Sequence, residues 1–240
     1  MASFGMIAKG GGWLILAAVL LLFPSAARAQ VEDLERTVGE LQATYEKIQD
    51  LSAQFHQLST QPASGFREES RGSLMMKRPG KMRWEYRSPD RRLIVSDGRW
   101  LYLYFPAERQ VVIQEAPVAF APLGLNFLTG MGKLAEDFRI QWGRPEKKAH
   151  KGNLLLELKP VDPSAQIQEI LMEIHPQTFL VERMILRDTL SSTTILTFKR
   201  VRINSGLDDR LFSFVPPPGT RVIEGLPGTR RPEGSPEKGG

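Results

Sequence analysis

Short runs with a two-residue hydrophobic period, separated by turn residues, are the feature that most constrains how this chain can fold. Alternation of this kind places successive side chains on opposite faces of a strand, and clusters of Gly, Pro, Asn and Asp end such strands. The Asp97-Gly98 pair between two apolar runs is a strong hairpin signal. Because sheets of this width curl, the sequence predicts a mainly β fold built on one curved antiparallel sheet. The eleven predicted strands are residues 52–58, 72–77, 81–86, 92–95, 100–105, 110–114, 138–142, 153–159, 169–174, 179–186 and 193–202.

Only one long stretch of the chain has the helical period. Apolar residues recur three and four positions apart between residues 31 and 48, with charged residues on the other face. We therefore expect an N-terminal amphipathic helix that packs on the sheet. Residues 117–135 then interrupt the strand pattern with a nearly uncharged run rich in Leu, Phe, Gly and Ala, which is unusual for a surface connection. This run predicts a short helix lying against the apolar face of the sheet.

The start of the chain has the pattern of a secretory signal peptide. Lys9 supplies a positive charge, and the apolar run at residues 13–23 is short for a membrane span. Ala27 and Ala29 suit cleavage after Ala29, although an uncleaved N-terminal anchor is the alternative. Beyond residue 226 the chain lacks the apolar residues needed for a core. The predicted divisions are a signal peptide at 1–29, one domain at 30–225 and a disordered tail at 226–240.

The composition narrows both the compartment and the partners. The absence of cysteine excludes disulfides, cysteine metal sites and lipid attachment to an N-terminal cysteine. An exported chain without cysteine fits a bacterial periplasm, where disulfides are permitted but not required. The net charge of +5 includes Lys9 and Arg28 of the predicted leader, so the remaining domain is only weakly basic. Such a balance does not indicate nucleic acid as a partner.

Catalytic and metal-binding signatures are missing from the sequence. It has no Gly-x-Ser-x-Gly elbow and no His-Glu-x-x-His motif, and residues 130–133 lack the spacing of a phosphate-binding loop. The three histidines, His56, His150 and His175, fall on different predicted elements. We therefore expect no enzyme activity, no metal and no cofactor, and the distinctive feature of the chain is its apolar surface.

Two neighbouring predicted strands carry large apolar residues at even positions. Period-two geometry and a tight turn at Pro79 place both sets on one face of the sheet. Arg78 continues the same parity, so its guanidinium is expected at the apolar face or its rim, where it needs acceptors. A nearby loop or residues 117–135 could supply them. The alternative is that Arg78 extends to solvent at the end of its strand.

The front half of the predicted sheet is unusually rich in aromatic and methionine side chains. Residues 93–95 and 100–105 are apolar on both faces, which an ordinary filled core would also explain. However, one helix and one glycine-punctuated segment are thin cover for so wide a sheet, and this favours a removable lid over an apolar cavity. The predicted cavity residues are Leu74, Met76, Met82, Trp84, Tyr86, Leu93, Val95, Trp100, Tyr102, Leu123, Phe127 and Leu128.

Several motifs resemble those of the periplasmic outer-membrane lipoprotein carrier family, LolA. The resemblance covers roughly residues 31–222, and its motifs are Gly72-x-Leu74-x-x-x-Arg78-Pro79-Gly80-x-Met82-Arg83-Trp84-x-Tyr86-x-x-Pro89, Leu93-Ile94-Val95-Ser96-Asp97-Gly98-x-x-Leu101-x-x-Tyr104-x-Pro106, Phe55-x-Gln57, Pro122-Leu123 and Phe212-x-Phe214-x-x-Pro217-x-Gly219. The first two motifs are fairly specific, and the C-terminal half matches more loosely. The resemblance implies an incomplete β-barrel of about eleven strands, closed by helices, whose hydrophobic cavity takes up acyl chains of lipoproteins.

The resemblance also implies a role for Arg78 and a set of partners. In this family the arginine of the Arg-Pro pair hydrogen-bonds the lid, so Arg78 is expected to gate the cavity. The implied partners are acylated lipoproteins as cargo, an ATP-driven inner-membrane transporter as donor and an outer-membrane lipoprotein acceptor as recipient. The chain itself is expected to be a periplasmic monomer.

Three other interpretations compete with a lipoprotein carrier. A carrier of the same fold for a glycolipid or another envelope lipid is compatible with every feature of the sequence. A lipid-sensing regulatory module is disfavoured because only a short tail follows residue 225. A hydrolase with scattered catalytic residues is disfavoured by the missing motifs.

Overall fold

The helical start of the chain and the sheet belong to different compact units. The computed structural model describes residues 24–116, 133–144, 149–150, 152–162 and 165–224. The chain divides into residues 1–39 and 40–240, and helix α1 (Pro24–Lys47) runs across the division. The predicted cleavage position after Ala29 falls inside this helix, and the cleavage itself stays a prediction. No helix within the described ranges combines the length and hydropathy needed to cross a membrane, and the apolar run at 13–23 lies outside them.

Twelve strands form one sheet in the described part of the chain. Along the sheet their order is β12-β6-β5-β4-β3-β2-β1-β11-β10-β9-β8-β7, so β12 and β7 are its two edges. Neighbouring strands are antiparallel, except that β12 runs parallel to β6. The strands are β1 (Asp50–Gln61), β2 (Phe66–Lys77), β3 (Lys81–Ser88), β4 (Arg92–Asp97), β5 (Trp100–Phe105), β6 (Gln110–Glu115), β7 (Phe138–Trp142), β8 (Leu154–Pro160), β9 (Ile167–Ile174), β10 (Val181–Asp188), β11 (Thr193–Ile203) and β12 (Arg221–Glu224).

The predicted mainly β class and its open, incomplete barrel are confirmed. All eleven predicted strands form, and the difference is β12, which follows the Pro216-Pro217-Pro218-Gly219 stretch. Four residues give too little periodicity to predict a strand, and β12 forms because the returning chain reaches the free edge of β6. The predicted lid helix falls mostly on residues outside the described ranges. Of the predicted segment only residues 133–135 are described: Lys133 is extended, and α2 (Leu134–Asp137) begins after it, with the backbone N–H of Leu134 donating to Oε1 of Gln42 over 3.4 Å.

The β2–β3 hairpin confirms the predicted parity of the two apolar strands. Its register sets Leu74 opposite Trp84 and Met76 opposite Met82, and all four side chains are buried. A bulge follows at Gly72, where a Cβ would lie 1.9 Å from the carbonyl oxygen of Glu85. Only glycine allows the two strands to approach this closely.

A second apolar cluster lies on the other side of the sheet, on β5 and β6. It consists of Trp100, Tyr102, Val111 and Ile113. Residues 207–220, which we call the C-terminal strap, pack over this side, where the ring of Phe214 lies 5.6 Å from that of Tyr102. The short 3-10 helix of the strap, Asp209–Phe212, contacts β3 and β4. The sheet therefore has apolar layers on both faces, and we call the face under the strap the outer face.

Candidate functional site

A cavity of about 330 Å³ lies on the face of the sheet opposite the C-terminal strap. Gln114 on β6 and Ile167 on β9 both line it, although seven strands separate β6 from β9 in the sheet. Strands so far apart can share one cavity only if the sheet curves around it. We call this concave side the cavity face. The lining residues are Gln57, Met82, Trp84, Tyr86, Ile94, Leu101, Gln114, Ile167, Met184, Leu186, Asp188, Ser192, Thr194 and Leu196.

Aromatic rings pack against one another at the cavity wall. Phe55 meets Trp84 and Tyr86 edge-on, with ring centroids 5.2 and 4.9 Å apart, and the rings of Trp84 and Tyr86 are nearly parallel at 6.2 Å. Such edge-to-face and offset pairs stabilise ring packing beyond simple burial. Met82 and Met184 continue the wall with flexible thioether side chains, which adapt to ligands of irregular shape.

A short chain of polar groups starts in the cavity wall, which also contains the polar residues Gln114, Asp188, Ser192 and Thr194. The hydroxyl of Tyr86 donates to Oε1 of Gln57 over 2.9 Å, and Nε2 of Gln57 donates to Oγ of Ser59 over 3.0 Å. Burial raises the pKa of Tyr86 to about 12, with a smaller opposing effect of the Arg92 guanidinium. The phenol is therefore protonated at neutral pH and acts as a hydrogen-bond donor.

The cavity wall is mainly apolar and carries a few polar groups. Its walls offer apolar surface with a few hydroxyl, amide and indole groups and the carboxylate of Asp188, and its volume is in the range of about 300–1,000 Å³ typical of small-molecule pockets. In the described part of the chain, no group of three or more His, Asp or Glu side chains is arranged to hold a metal ion.

The predicted cavity residues on β2 and β3 fall on the cavity face. Met82, Trp84 and Tyr86 line the cavity directly. Leu74 and Met76 are buried beside them, opposite Trp84 and Met82 in the hairpin register. The last three residues of the predicted set, Leu123, Phe127 and Leu128, lie outside the described residues.

Four predicted residues lie on the other face, and this corrects the expected lining. They are Leu93, Val95, Trp100 and Tyr102. Arg83 pairs with Val95, and Val95 pairs with Tyr102, so these side chains turn away from Trp84. Their neighbours Ile94 and Leu101 line the cavity instead. Both strands are apolar on each face, and only the register with β3 decides which set points inward.

The C-terminal half of the sheet supplies cavity residues that the sequence did not predict. Ile167, Met184, Leu186 and Leu196 come from β9, β10 and β11. The signal was present, because Met184 and Leu186 are two positions apart in a strand of apolar and polar residues. Nothing local shows that this strand faces Trp84, since that contact requires the curvature of the whole sheet.

Arg78 lies at the end of the β2–β3 hairpin, half-buried, and contacts helix α1. Its Nη1 donates to the backbone carbonyl of Glu46 over 2.8 Å, and its backbone N–H donates to the carbonyl of Gln49 over 2.9 Å. The sequence left open whether the Arg78 guanidinium bonds to a protein acceptor or extends to solvent. In the structure it has a protein acceptor. Any contact with residues 117–132 lies outside the described residues.

Comparison with known proteins identifies the family of this chain. A family model described as outer membrane lipoprotein carrier protein LolA matches residues 46–215. The chain belongs to the LolA family. An outer-membrane lipoprotein carrier protein of Azotobacter vinelandii is 30% identical over 208 residues, covering 86% of this chain and 97% of the relative. One of Chromobacterium violaceum is 31% identical over 212 residues, covering 88% and 97%.

The fold of the LolA-family chain is also similar to that of a solved structure with little sequence identity. An uncharacterised conserved protein from Thermus thermophilus superposes with a TM-score of 0.51 at 11% identity, covering 79% of this chain and 98% of the other. At this identity the likeness concerns the fold alone.

Proposed function

We propose that this LolA-family protein is a periplasmic carrier that binds the acyl chains of lipoproteins and transfers them from the inner membrane to an outer-membrane acceptor. The observation that carries the proposal is the apolar cavity enclosed by the curved sheet, with Met82, Trp84, Met184 and Leu196 in its wall. Membership of the LolA family and the carrier names of its relatives support the same role and the periplasmic location.

The free energy of moving acyl chains through water explains why a carrier needs such a cavity. Each buried CH2 group contributes about 0.8 kcal/mol, so two or three acyl chains of about fifteen such groups represent roughly 20–40 kcal/mol. A cavity of about 330 Å³ is at the lower end of the range for ordinary ligands. We propose that it enlarges when residues 117–135 move aside as a lid, so that Leu123, Phe127 and Leu128 also contact the acyl chains.

Arg78 is proposed to hold the empty carrier closed. Its hydrogen bond to the carbonyl of Glu46 ties the end of helix α1 to the β2–β3 turn, and this supports a role in holding the elements around the sheet together. Release of this tie when cargo enters would allow the cavity to open. The closed and open states of the carrier would then differ in free energy by a few hydrogen bonds, which is much less than the free energy of burying whole acyl chains.

The direction of transport requires partners on both membranes. The sequence contains no phosphate-binding loop, so energy for extracting cargo has to come from elsewhere. We propose an ATP-driven inner-membrane transporter as donor and an outer-membrane lipoprotein acceptor as recipient. Binding to this carrier must be strong enough to keep acyl chains from water and weak enough to allow delivery.

A displacement assay tests whether the cavity binds acyl chains. An environment-sensitive lipid dye bound to the purified protein should be displaced by a triacylated peptide and not by the same peptide without acyl chains. Thr194→Phe, which fills the cavity, should weaken binding about tenfold, whereas Thr193→Phe, on the other face of β11, should not. If the triacylated peptide displaced no dye from the wild-type protein, the proposal would be overturned.

The identity of the natural cargo is tested by mass spectrometry of lipids that copurify with the protein from the periplasm. Acylated lipoprotein supports the proposed carrier. A glycolipid or another envelope lipid in its place would assign the same cavity to a different cargo and overturn the lipoprotein part of the proposal.

A further inference from the structure

One hydrogen-bond donor in the cavity wall has no acceptor. Trp84 is 5% exposed and lines the cavity, and its indole Nε1 is buried without a hydrogen-bond partner. Among the described side chains only one other buried polar atom is in this state, Nε of Arg92. Buried donors in native proteins are nearly always paired, so an unpaired donor in a binding cavity calls for an acceptor on the ligand.

The polar groups of Gln57 and Tyr86, which belong to the same wall, do not supply that acceptor. Oε1 of Gln57 already accepts from the hydroxyl of Tyr86, and Nε2 of Gln57 is itself a donor, to Ser59. An indole N–H can only donate. The polar chain Tyr86–Gln57–Ser59 is therefore complete without Trp84.

The second unpaired donor, Nε of Arg92, lies beside Tyr86 and outside the set of residues that line the cavity. The guanidinium carbon of Arg92 is 4.6 Å from the ring centroid of Tyr86, and Nη2 of Arg92 is held by Glu68 at 2.8 Å. Tyr86 thus lies between Trp84, whose ring is stacked beside it, and Arg92. Of the two unpaired donors only that of Trp84 belongs to a residue of the cavity wall, and it favours a ligand that carries an acceptor oxygen.

We infer that, once the cavity has enlarged around the cargo, the indole N–H of Trp84 donates a hydrogen bond to a carbonyl oxygen of an acyl ester or amide carried by that cargo. The inference rests on the proposed function and adds to it a chemical preference. An acyl chain enters the cavity joined to its carbonyl, and that oxygen loses its water partners on entry. Trp84 replaces them, so the cavity distinguishes acyl chains from alkyl chains of the same length, which have no carbonyl.

A matched pair of ligands tests this preference. The ester ligand is a peptide with an N-terminal S-[2,3-bis(palmitoyloxy)propyl]cysteine, and the ether ligand carries two hexadecyl ethers at the same positions. Both present similar hydrocarbon and the same peptide, but only the first has ester carbonyl oxygens on its chains. We expect wild-type protein to bind the ester about three- to tenfold more tightly than the ether, as one hydrogen bond provides.

The variant Trp84→Phe removes the N–H group and keeps an aromatic ring. It should bring the ester-to-ether affinity ratio close to one. Trp100→Phe is the matched control, because Trp100 belongs to the outer-face cluster, and it should keep the wild-type ratio. Replacement of Trp84 by benzothienylalanine, which has sulfur in place of the N–H at nearly the same shape, tests the bond if Trp84→Phe does not fold.

Nuclear magnetic resonance gives a readout that does not depend on a variant. The chain has four tryptophans, and the indole N–H signal of Trp84 should move downfield with the ester ligand but not with the ether. Equal affinity of wild-type protein for the two ligands would overturn the inference while leaving the carrier role intact. An ester preference that survives the loss of the N–H would exclude Trp84 as the donor. Failure of both ligands to bind would overturn the carrier role itself.

Discussion

Asp50 shows how a single residue fastens two distant parts of the fold. It is buried at the start of β1, and its carboxylate accepts hydrogen bonds from the backbone N–H groups of Ser205, Gly206 and Leu207 and from the hydroxyl of Ser205. Burial by itself raises the pKa of Asp50, but these hydrogen bonds together outweigh it and lower the pKa below its usual value. The turn after β11 is thereby attached to the end of the sheet that also carries Arg78.

The substitution Asp50→Asn should destabilise the protein in a pH-dependent way. A carboxyl whose pKa is lower in the folded state stabilises that state above its unfolded pKa, and this contribution is lost as the pH falls through the folded pKa. We expect a loss of about 1–3 kcal/mol in the free energy of unfolding at pH 7, and a smaller difference from wild type near pH 3. Urea denaturation at both pH values measures the effect.

Asp90, exposed in the turn between β3 and β4, is the matched control for Asp50. Asp90→Asn should leave the free energy of unfolding within about 0.5 kcal/mol of wild type. A difference between Asp50→Asn and wild type that stayed constant from pH 7 to pH 3 would show that the charge of Asp50 is not what stabilises the turn.

At the scale of elements, Arg78 connects the β2–β3 turn with helix α1. The last carbonyl groups of a helix have no donor within the helix, and a cation near them is favourable. The guanidinium of Arg78 supplies both the donor and the positive charge, because it donates a hydrogen bond to the carbonyl of Glu46. Since α1 ends at Lys47 and β1 begins at Asp50, this bond also holds the junction between helix and sheet.

We expect Arg78→Leu to retain cargo longer than wild type. Without the hydrogen bond the closed, empty state loses stability, so the loaded state is favoured by about five- to tenfold. The measurement is the rate at which a fluorescent acylated peptide leaves the carrier for phospholipid vesicles. Arg91→Leu, in the turn at the other end of β3, provides the control. Release from Arg78→Leu at the wild-type rate would make Arg78 a passive residue of the hairpin.

At the scale of the whole molecule, the sheet separates the cavity face from the outer face, which is covered by the C-terminal strap. The C-terminal strap is held over the outer face by Lys77, whose Nζ bonds to the carbonyl of Leu207 at 2.7 Å and pairs with Asp209 at the same distance. Phe212 of the strap is 1% exposed. The strap therefore buries the apolar outer surface of β3 to β6 independently of the cavity.

Shortening Phe212 should affect stability and not cargo binding. We expect Phe212→Ala to lower the free energy of unfolding by about 3–5 kcal/mol, because it removes a fully buried ring. Val215→Ala, three residues further on, should change it by less than about 0.5 kcal/mol, since Val215 is 80% exposed. The folded Phe212→Ala protein should bind acylated peptide with wild-type affinity. A loss of affinity in the folded variant would show that the two faces are coupled.

The strands and one wall of the cavity could be predicted from the sequence because their signals are local. Period-two alternation and turn residues defined eleven strands, and parity across the tight turn at Pro79 placed Met82, Trp84 and Tyr86 on one face. A strand that is apolar on both sides carries no such information. For that reason the sequence could not show that Leu101, rather than Tyr102, faces the cavity.

The sequence by itself determined that this chain forms a wide, mainly antiparallel sheet with an apolar face around Trp84. The tertiary structure decided which side of β4 and β5 became the cavity, brought Met184 and Leu196 across from the far half of the sheet, and added β12 at its edge. The physical reason is how far apart in the chain the interacting residues are. Alternation along a strand is fixed by neighbouring residues, whereas the register between strands and the curvature of the sheet depend on contacts between residues far apart in the chain.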